Sequence, residues 1–127
     1  MEKDQKTSCG FRELKVWQKS KKLAVDIYLV TKDASLNHDF GLRDQMRRAA
    51  VSIPSNIAEG DERGSNRESV RFLYIAKGSL AELQTQLEIA HEIGYIDQKT
   101  LKDIGIECLT IGKMLGSLIK TRMQSKG

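Results

Sequence analysis

The sequence predicts an all-α protein, an antiparallel up-down-up-down four-helix bundle, and three observations carry that prediction. Four stretches, each about 20 residues or longer, repeat apolar residues at helical spacing. Proline occurs once, and Leu, Ile, Ala, Lys and Glu dominate the composition. The connections between the stretches are only a few residues long, which makes successive helices antiparallel neighbours. At 127 residues the chain forms one domain, able to bury roughly 65–70% of its extended surface. A hydrophobic content of 39% against 30% charged residues places it among globular proteins rather than disordered ones.

Residues 1–10 are charged and without periodicity and are expected to be a disordered tail; residues 11–123 hold the bundle and residues 124–127 a C-terminal tail. The first helix is expected over about 12–33. Val16, Leu23, Ile27 and Val30 make its apolar stripe, Trp17, Ala24 and Tyr28 widen it, and Lys15, Lys19, Lys21 and Lys22 gather on the exposed side. Asn37, His38, Asp39 and Gly41 form a loop, with Asp39 placed to cap the second helix.

The second helix, about 40–59, has two different faces. Met46, Ala50, Ile53 and Ile57 fall at i, i+4, i+7 and i+11 on the apolar one. Arg48, Ser52, Ser55, Asn56 and Glu59 lie opposite; most are small and uncharged, so a second backbone can come close and still find hydrogen bonds. Pro54, the only proline, costs about 3 kcal/mol in a helix interior. A bend is expected there, with the adjacent serines and asparagine bonding the carbonyl that proline frees. Gly60 is expected to end the helix in the left-handed conformation.

Asp61 to Gly64 read as a turn, and Ser65-Asn66-Arg67-Glu68 as a capping box that starts the third helix. Phe72, Leu73, Ala76, Leu80, Leu83, Leu87 and Ala90 mark its inner face to about residue 93, where Gly94 stops it. Gly78, off that face and costing about 1 kcal/mol in propensity, points to close backbone approach at a second interface. Asp97 caps the fourth helix, about 98–123. Leu101, Ile104, Cys108, Ile111, Leu115, Leu118 and Arg122 alternate steps of three and four, a heptad seam that ends in a charge, and Gly105, Gly112 and Gly116 lie beside it.

The pattern Leu42-x-x-Gln45-x-Arg47-Arg48-Ala49-x-x-Ser52-Ile53-Pro54-x-Asn56-Ile57-Ala58-Glu59-Gly60 resembles the signature of the four-helix-bundle proteins encoded in 23S rRNA intervening sequences. Phe11-x-x-Leu14-x-Val16-Trp17 and Phe72-Leu73-x-Ile75-Ala76-x-Gly78-Ser79 match the same family, so the resemblance spans about residues 11–120. That family is similar in fold to the accessory protein of diversity-generating retroelements, which assists a reverse transcriptase. The resemblance implies a ring-shaped homopentamer, with RNA or another nucleic acid, or a protein, as partner. It also marks Ser52, Pro54, Asn56, Glu59 and Gly60 as the structural signature. Glu59 is expected to be buried or interfacial, held by Arg63 or by another subunit, and to fix one arrangement rather than act as a catalytic acid. Second small or apolar faces on helices two, three and four argue independently for a homo-oligomer.

A net charge of +4 and a pI near 9.1 permit contact with nucleic acid. Arg47 and Arg48, with Arg63, Arg67 and Arg71 around the following turn, offer planar forks that match phosphate geometry. Asp44, Glu59, Glu62 and Glu68 are near enough in sequence to pair with them instead. Lys15, Lys19 and Lys22, and the group Lys113, Lys120 and Arg122, are less offset by acids and serve as point charges that neutralise phosphates without reading sequence. Stacking on bases has only Trp17, Tyr74 and Tyr95 to call on, and Trp17 fits the core better.

No enzymatic constellation is present in the sequence. Glu88-x-x-His91 has the spacing of half a di-iron motif, but the chain has two histidines and the other, His38, falls in the expected loop. No P-loop, dinucleotide fingerprint or nucleophile elbow occurs, and no cofactor or metal is expected. Cys9 lies in the polar tail and Cys108 on an apolar stripe, so no disulfide is expected. With no secretory signal and no membrane span, a cytoplasmic location is expected.

Overall fold

The computed structural model describes residues 10–125, so residues 1–9 of the tail expected over 1–10 and the last two residues lie outside the described residues, while Gly10 begins a 3-10 turn. Among the described residues this turn (Gly10–Glu13) precedes five helices, four long and one short: α1 (Lys15–Val30), α2 (Ala34–His38), α3 (Phe40–Glu62), α4 (Asn66–Glu92) and α5 (Gln98–Gln124). No strand occurs among the described residues. The long helices close around one core, α1 packing on α3, α3 on α4, α4 on α5 and α5 back on α1.

The expected first helix divides into the 3-10 turn and α1. Leu14 is extended and separates the 3-10 turn from α1. Thr31 ends α1, its hydroxyl donating to the Ile27 carbonyl at 2.7 Å. The five residues of α2 fall inside the expected linker because a single buried side chain, Leu36, holds them and one residue sets no periodicity. His38 therefore ends a helix rather than sitting in a loop. On α1 the stripe is Val16, Ser20, Leu23, Ala24 and Ile27, while Tyr28 is 43% exposed rather than part of the core. The Ser20 hydroxyl is buried without a hydrogen-bond partner among the described residues.

Asp39 caps α3 by accepting from the Leu42 amide at 3.1 Å. Met46, Ala49, Ala50, Ile53, Pro54, Ile57 and Gly60 are buried, an arc wide enough to face α1 and α4 at once. Gly60 does not end the helix. Its φ is not positive, and α3 continues to Glu62. The glycine is there for space: a Cβ at this position would stand 3.0 Å from Phe72 Cβ and 3.1 Å from the Ser69 carbonyl oxygen of α4. The Asn56 amide does not reach the Ala50 carbonyl that Pro54 frees; it donates to the Ser52 carbonyl and hydroxyl at 2.8 and 2.9 Å. Ala50 faces the core, whereas Ser52 faces α4 and bonds Ser79, so the asparagine supports that helix contact through Ser52 instead.

Only the first half of the capping box forms. Ser65 Oγ accepts from the Glu68 amide at 3.2 Å, but the Glu68 carboxylate turns outward to Arg71. At the other end of α4, Gly94 takes φ +87°, its amide donates to the His91 carbonyl and the Tyr95 amide to the Ala90 carbonyl, a paired closure that only a left-handed residue permits. Asp97 caps α5 through the Thr100 amide at 2.8 Å, and the Thr100 hydroxyl together with that amide holds its carboxyl below the usual range.

The buried positions of α5 are Ile104, Cys108, Ile111, Leu115 and Ile119. The seam expected to pass through Leu118 instead moves to Ile119, because a straight helix drifts about 20° per heptad away from a strict seven-residue repeat. Residues that meet across neighbouring helices run in opposite numerical order. Along α3 and α4, Gly60 lies against Ser69, Ser52 bonds Ser79 at 2.8 Å, and Asp39 bonds the Tyr95 hydroxyl at 3.1 Å. Along α4 and α5, Arg122 bonds Ser69 and the Cβ position of Gly112 lies 3.5 Å from Leu80.

Candidate nucleic-acid interface

The basic residues singled out in the sequence fall into three places. On α1, Lys15, Lys19 and Lys22 recur at i, i+4 and i+7 and so share a face, which lies along α5. Lys15 and Lys113 rim one groove between the two helices, a cavity of about 440 Å³ floored by Leu14, Val16, Met114 and Leu118. Lys19 and Lys22 line the next groove along, with Ile106, Glu107 and Thr110 opposite. Lys120 stands seven residues beyond Lys113 on α5, about 20° round the helix and on the same side.

Acids neutralise part of this face. Lys22 lies 2.8 Å from Asp26 and 3.7 Å from Glu107, and both carboxylates hold its ammonium pKa above the ordinary value, Asp26 most of all. Burial pushes the Glu107 carboxyl upward, Asp26 pushes the same way, and Lys22 opposes them. Lys15, Lys19, Lys113 and Lys120 make no ion pair among the described residues. The four lysines are exposed, and each can neutralise a phosphate.

The second place is the outer surface of α3 beside the end of α1. Arg47 and Arg48 line a shallow groove there with Tyr28, Asp44, Val51 and Ser52. Arg47 lies 4.5 Å above the Tyr28 ring and donates from Nε to Thr31 Oγ1 at 2.8 Å. Arg48 is exposed and unpaired among the described residues. Tyr28, expected to widen the apolar stripe of the first helix, lies at the surface, and Thr31, which belongs to no expected site, anchors Arg47. The signal was present in the spacing: Thr31 lies four residues after Ile27, and Tyr28 one residue off the buried stripe.

The third place, the turn from α3 to α4, is balanced by acids. Arg63 pairs with Glu59 at 2.8 Å and Arg71 with Glu68 at 3.3 Å, and both guanidinium groups stack on Phe72. Arg67 is exposed and makes no ion pair among the described residues. Glu59 is half exposed and held by Arg63, so within the protomer it is a surface pair rather than a buried charge. Arg122, placed with Lys113 and Lys120 in the sequence, turns inward. Only 20% of its side chain is exposed, and it bonds Ser69 Oγ at 2.6 Å and approaches Asp61 at 3.4 Å, tying the end of α5 to the α3–α4 turn.

Of the signature residues, Ser52 and Gly60 make the close contact with α4, Asn56 bonds Ser52 within α3, and Pro54 is buried. The aromatic side chains divide similarly. Trp17 is half-buried against Phe11, Tyr95 is tied to Asp39, which raises the Tyr95 pKa, and Tyr74 is 51% exposed. Glu88 is exposed on α4 and His91 half-buried, and no group of three metal-ligating side chains occurs among the described residues. No described helix is long and apolar enough to cross a membrane.

Four long helices around one core, a signature helix packed by small residues and a lysine-lined flank define a helical-bundle protein with a basic face. The chain belongs to the 23S rRNA-intervening sequence protein family, whose model matches residues 12–117. It is similar to the crystal structure of a protein of unknown function from the S23 ribosomal protein family of Bacteroides thetaiotaomicron, with 29% identity and a TM-score of 0.77, over 83% of this chain and 98% of that one. No curated protein matches the chain.

Proposed function

We propose that the chain is a non-catalytic nucleic-acid-associated protein of the cytoplasm that binds structured RNA through backbone phosphates, as an antiparallel bundle repeated in a basic homopentamer. One observation carries this reading: Lys15, Lys19, Lys113 and Lys120 line the α1–α5 flank with no carboxylate paired to them among the described residues. The opposite numerical order of residues that meet across neighbouring helices supports the antiparallel arrangement. Faces that no helix of the protomer covers support assembly. Ile75, Ile89 and Ile93 are 42–52% exposed, and the Cβ positions of Gly78 and Gly116 open onto empty space. Five copies at +4 each carry a formal charge of +20, and weak phosphate contacts on one ring then reinforce one another.

The test is a salt titration of affinity for a structured RNA, with wild type beside Lys15→Glu/Lys19→Glu/Lys113→Glu. Removing one phosphate interaction lowers the slope of log affinity against log salt by roughly 0.9. The triple variant should bind more weakly with a slope smaller by about 2–3; an unchanged slope removes this flank from the interface. Light scattering should give five times 14.3 kDa.

A second reading has its own observation. Leu87, Leu101, Ile106 and Leu109 line a groove between α4 and α5, which suits a scaffold that recruits a partner enzyme such as a reverse transcriptase. Absence of RNA binding at low salt by the intact oligomer favours that reading.

A further inference from the structure

We infer that the groove beside Tyr28, Arg47 and Arg48 seats one unpaired nucleotide, its base stacked on Tyr28 and its phosphate held by the two arginines. The inference rests on the RNA-binding reading above and narrows its ligand from duplex backbone to an unpaired stretch.

Arg47 is held on two sides before any ligand arrives. Its Nε donates to Thr31 Oγ1 at 2.8 Å, and Thr31 is fully buried with its own hydroxyl proton given to the Ile27 carbonyl at 2.7 Å. That leaves the threonine oxygen as a fixed acceptor. The guanidinium also lies 4.5 Å above the Tyr28 ring. Its two terminal nitrogens have no hydrogen-bond partner among the described residues. A guanidinium already ordered in this way loses little freedom when it takes up a phosphate.

The contrast with the arginines of the α3–α4 turn is instructive. Arg63 and Arg71 also stack on an aromatic ring, but their terminal nitrogens are spent on Glu59 and Glu68. Beside Arg47 the sole lining carboxylate is Asp44, and Arg43 already engages it at 2.9 Å. Arg48 adds a second unpaired charge on the next residue. Tyr28 lines this groove and keeps 43% of its surface exposed, with Arg47 over one face of its ring. Base stacking on an aromatic ring with a cation nearby is how single strands are held, and a duplex offers no unstacked base to use it.

Fluorescence anisotropy at low salt, with a labelled oligouridylate of roughly 12 nucleotides and an RNA duplex of about the same length, separates the possibilities. Three variants are compared with wild type: Tyr28→Leu, which keeps the apolar bulk, Arg47→Lys, which keeps the charge and loses the fork, and Lys15→Glu/Lys113→Glu on the other flank. The expected result is a loss of about 10-fold or more in oligouridylate affinity for Tyr28→Leu and Arg47→Lys. Duplex affinity should stay within about 2-fold, and the lysine variant should weaken both ligands. Wild type that binds duplex but not oligouridylate overturns this site and leaves the wider reading standing. Equal losses on both ligands, or no loss on either, also overturn it. Binding of neither RNA by wild type overturns the two together.

Discussion

Alanine at Gly60 and alanine at Gly78 should move stability in opposite directions. Both glycines lie in helices and neither has a positive φ, so alanine gains up to about 1 kcal/mol in helix propensity at each. Space decides the sign. At Gly60 the new Cβ would stand 3.0 Å from Phe72 Cβ, 3.1 Å from the Ser69 carbonyl oxygen and 3.4 Å from Ser69 Cα. Two of these atoms are α4 backbone and the third is bonded directly to it, so no side-chain rotation relieves the crowding. Carbon–carbon contacts settle near 3.5–4.0 Å, so α3 and α4 must separate by roughly 0.5 Å along their closest approach. Overpacking of this kind costs about 1–3 kcal/mol, which leaves a net loss of up to about 2 kcal/mol after the propensity gain. At Gly78 nothing within the protomer lies within 4 Å of the new methyl, so in the single bundle the gain stands alone. For a chain of this size 1 kcal/mol is about 3–6 °C in Tm. Thermal unfolding followed by circular dichroism at one fixed protein concentration reads both variants. Gly60→Ala melting above wild type by as much as Gly78→Ala would refute the packing argument. A loss at Gly78 that deepens with protein concentration would instead mark that glycine as a contact between protomers.

Arg122→Ala should destabilise the bundle by about 1.5–3 kcal/mol, since it strands the buried Ser69 hydroxyl and frees Asp61. Ser69→Ala in the same chain should recover part of that loss in urea titration; lowered RNA affinity with unchanged stability would return Arg122 to the binding face. Cys108 is fully buried with its thiol pushed up to about 12 by burial, so roughly one thiol in ten thousand is ionised at pH 8. In a Cys9→Ser background its reaction with a disulfide reagent should proceed only as fast as the protein unfolds, and prompt labelling of folded protein counts against the buried position. Glu107→Gln tests the carboxyl raised by burial. Because its folded pKa lies above the unfolded value, the stability it contributes is complete below the unfolded pKa and is lost as pH rises through the folded one. The glutamine variant should therefore melt higher relative to wild type at pH 7 than at pH 4; the same difference at both pH values would refute the assignment.

Element type was legible wherever apolar periodicity ran for several turns. The four long helices follow from it, as do the caps at Asp39, Ser65 and Asp97, where a short polar side chain precedes a periodic run. The stop at Gly94 was legible because a left-handed closure needs glycine. The same rule misread Gly60, which sits near a helix end for a different reason, the approach of Ser69 and Phe72. Local pattern cannot separate a glycine needed for its φ from one needed for its missing side chain. Among the basic residues, the recurrence of Lys15, Lys19 and Lys22 was readable along one helix, but their alignment with Lys113 across two helices was not.

The sequence by itself determined the class of fold, the family signature and the set of charges available to meet an anion, because periodicity, caps and composition act over short stretches of chain. Tertiary structure alone decided which of those charges remain free. Arg122 is spent on Ser69 and Asp61, and Arg63 on Glu59, while Arg47 is oriented by a threonine 16 residues away and left with its terminal nitrogens open. Ion pairing and preorganisation depend on distances of a few ångströms between separate helices, and those distances exist only once the helices have packed.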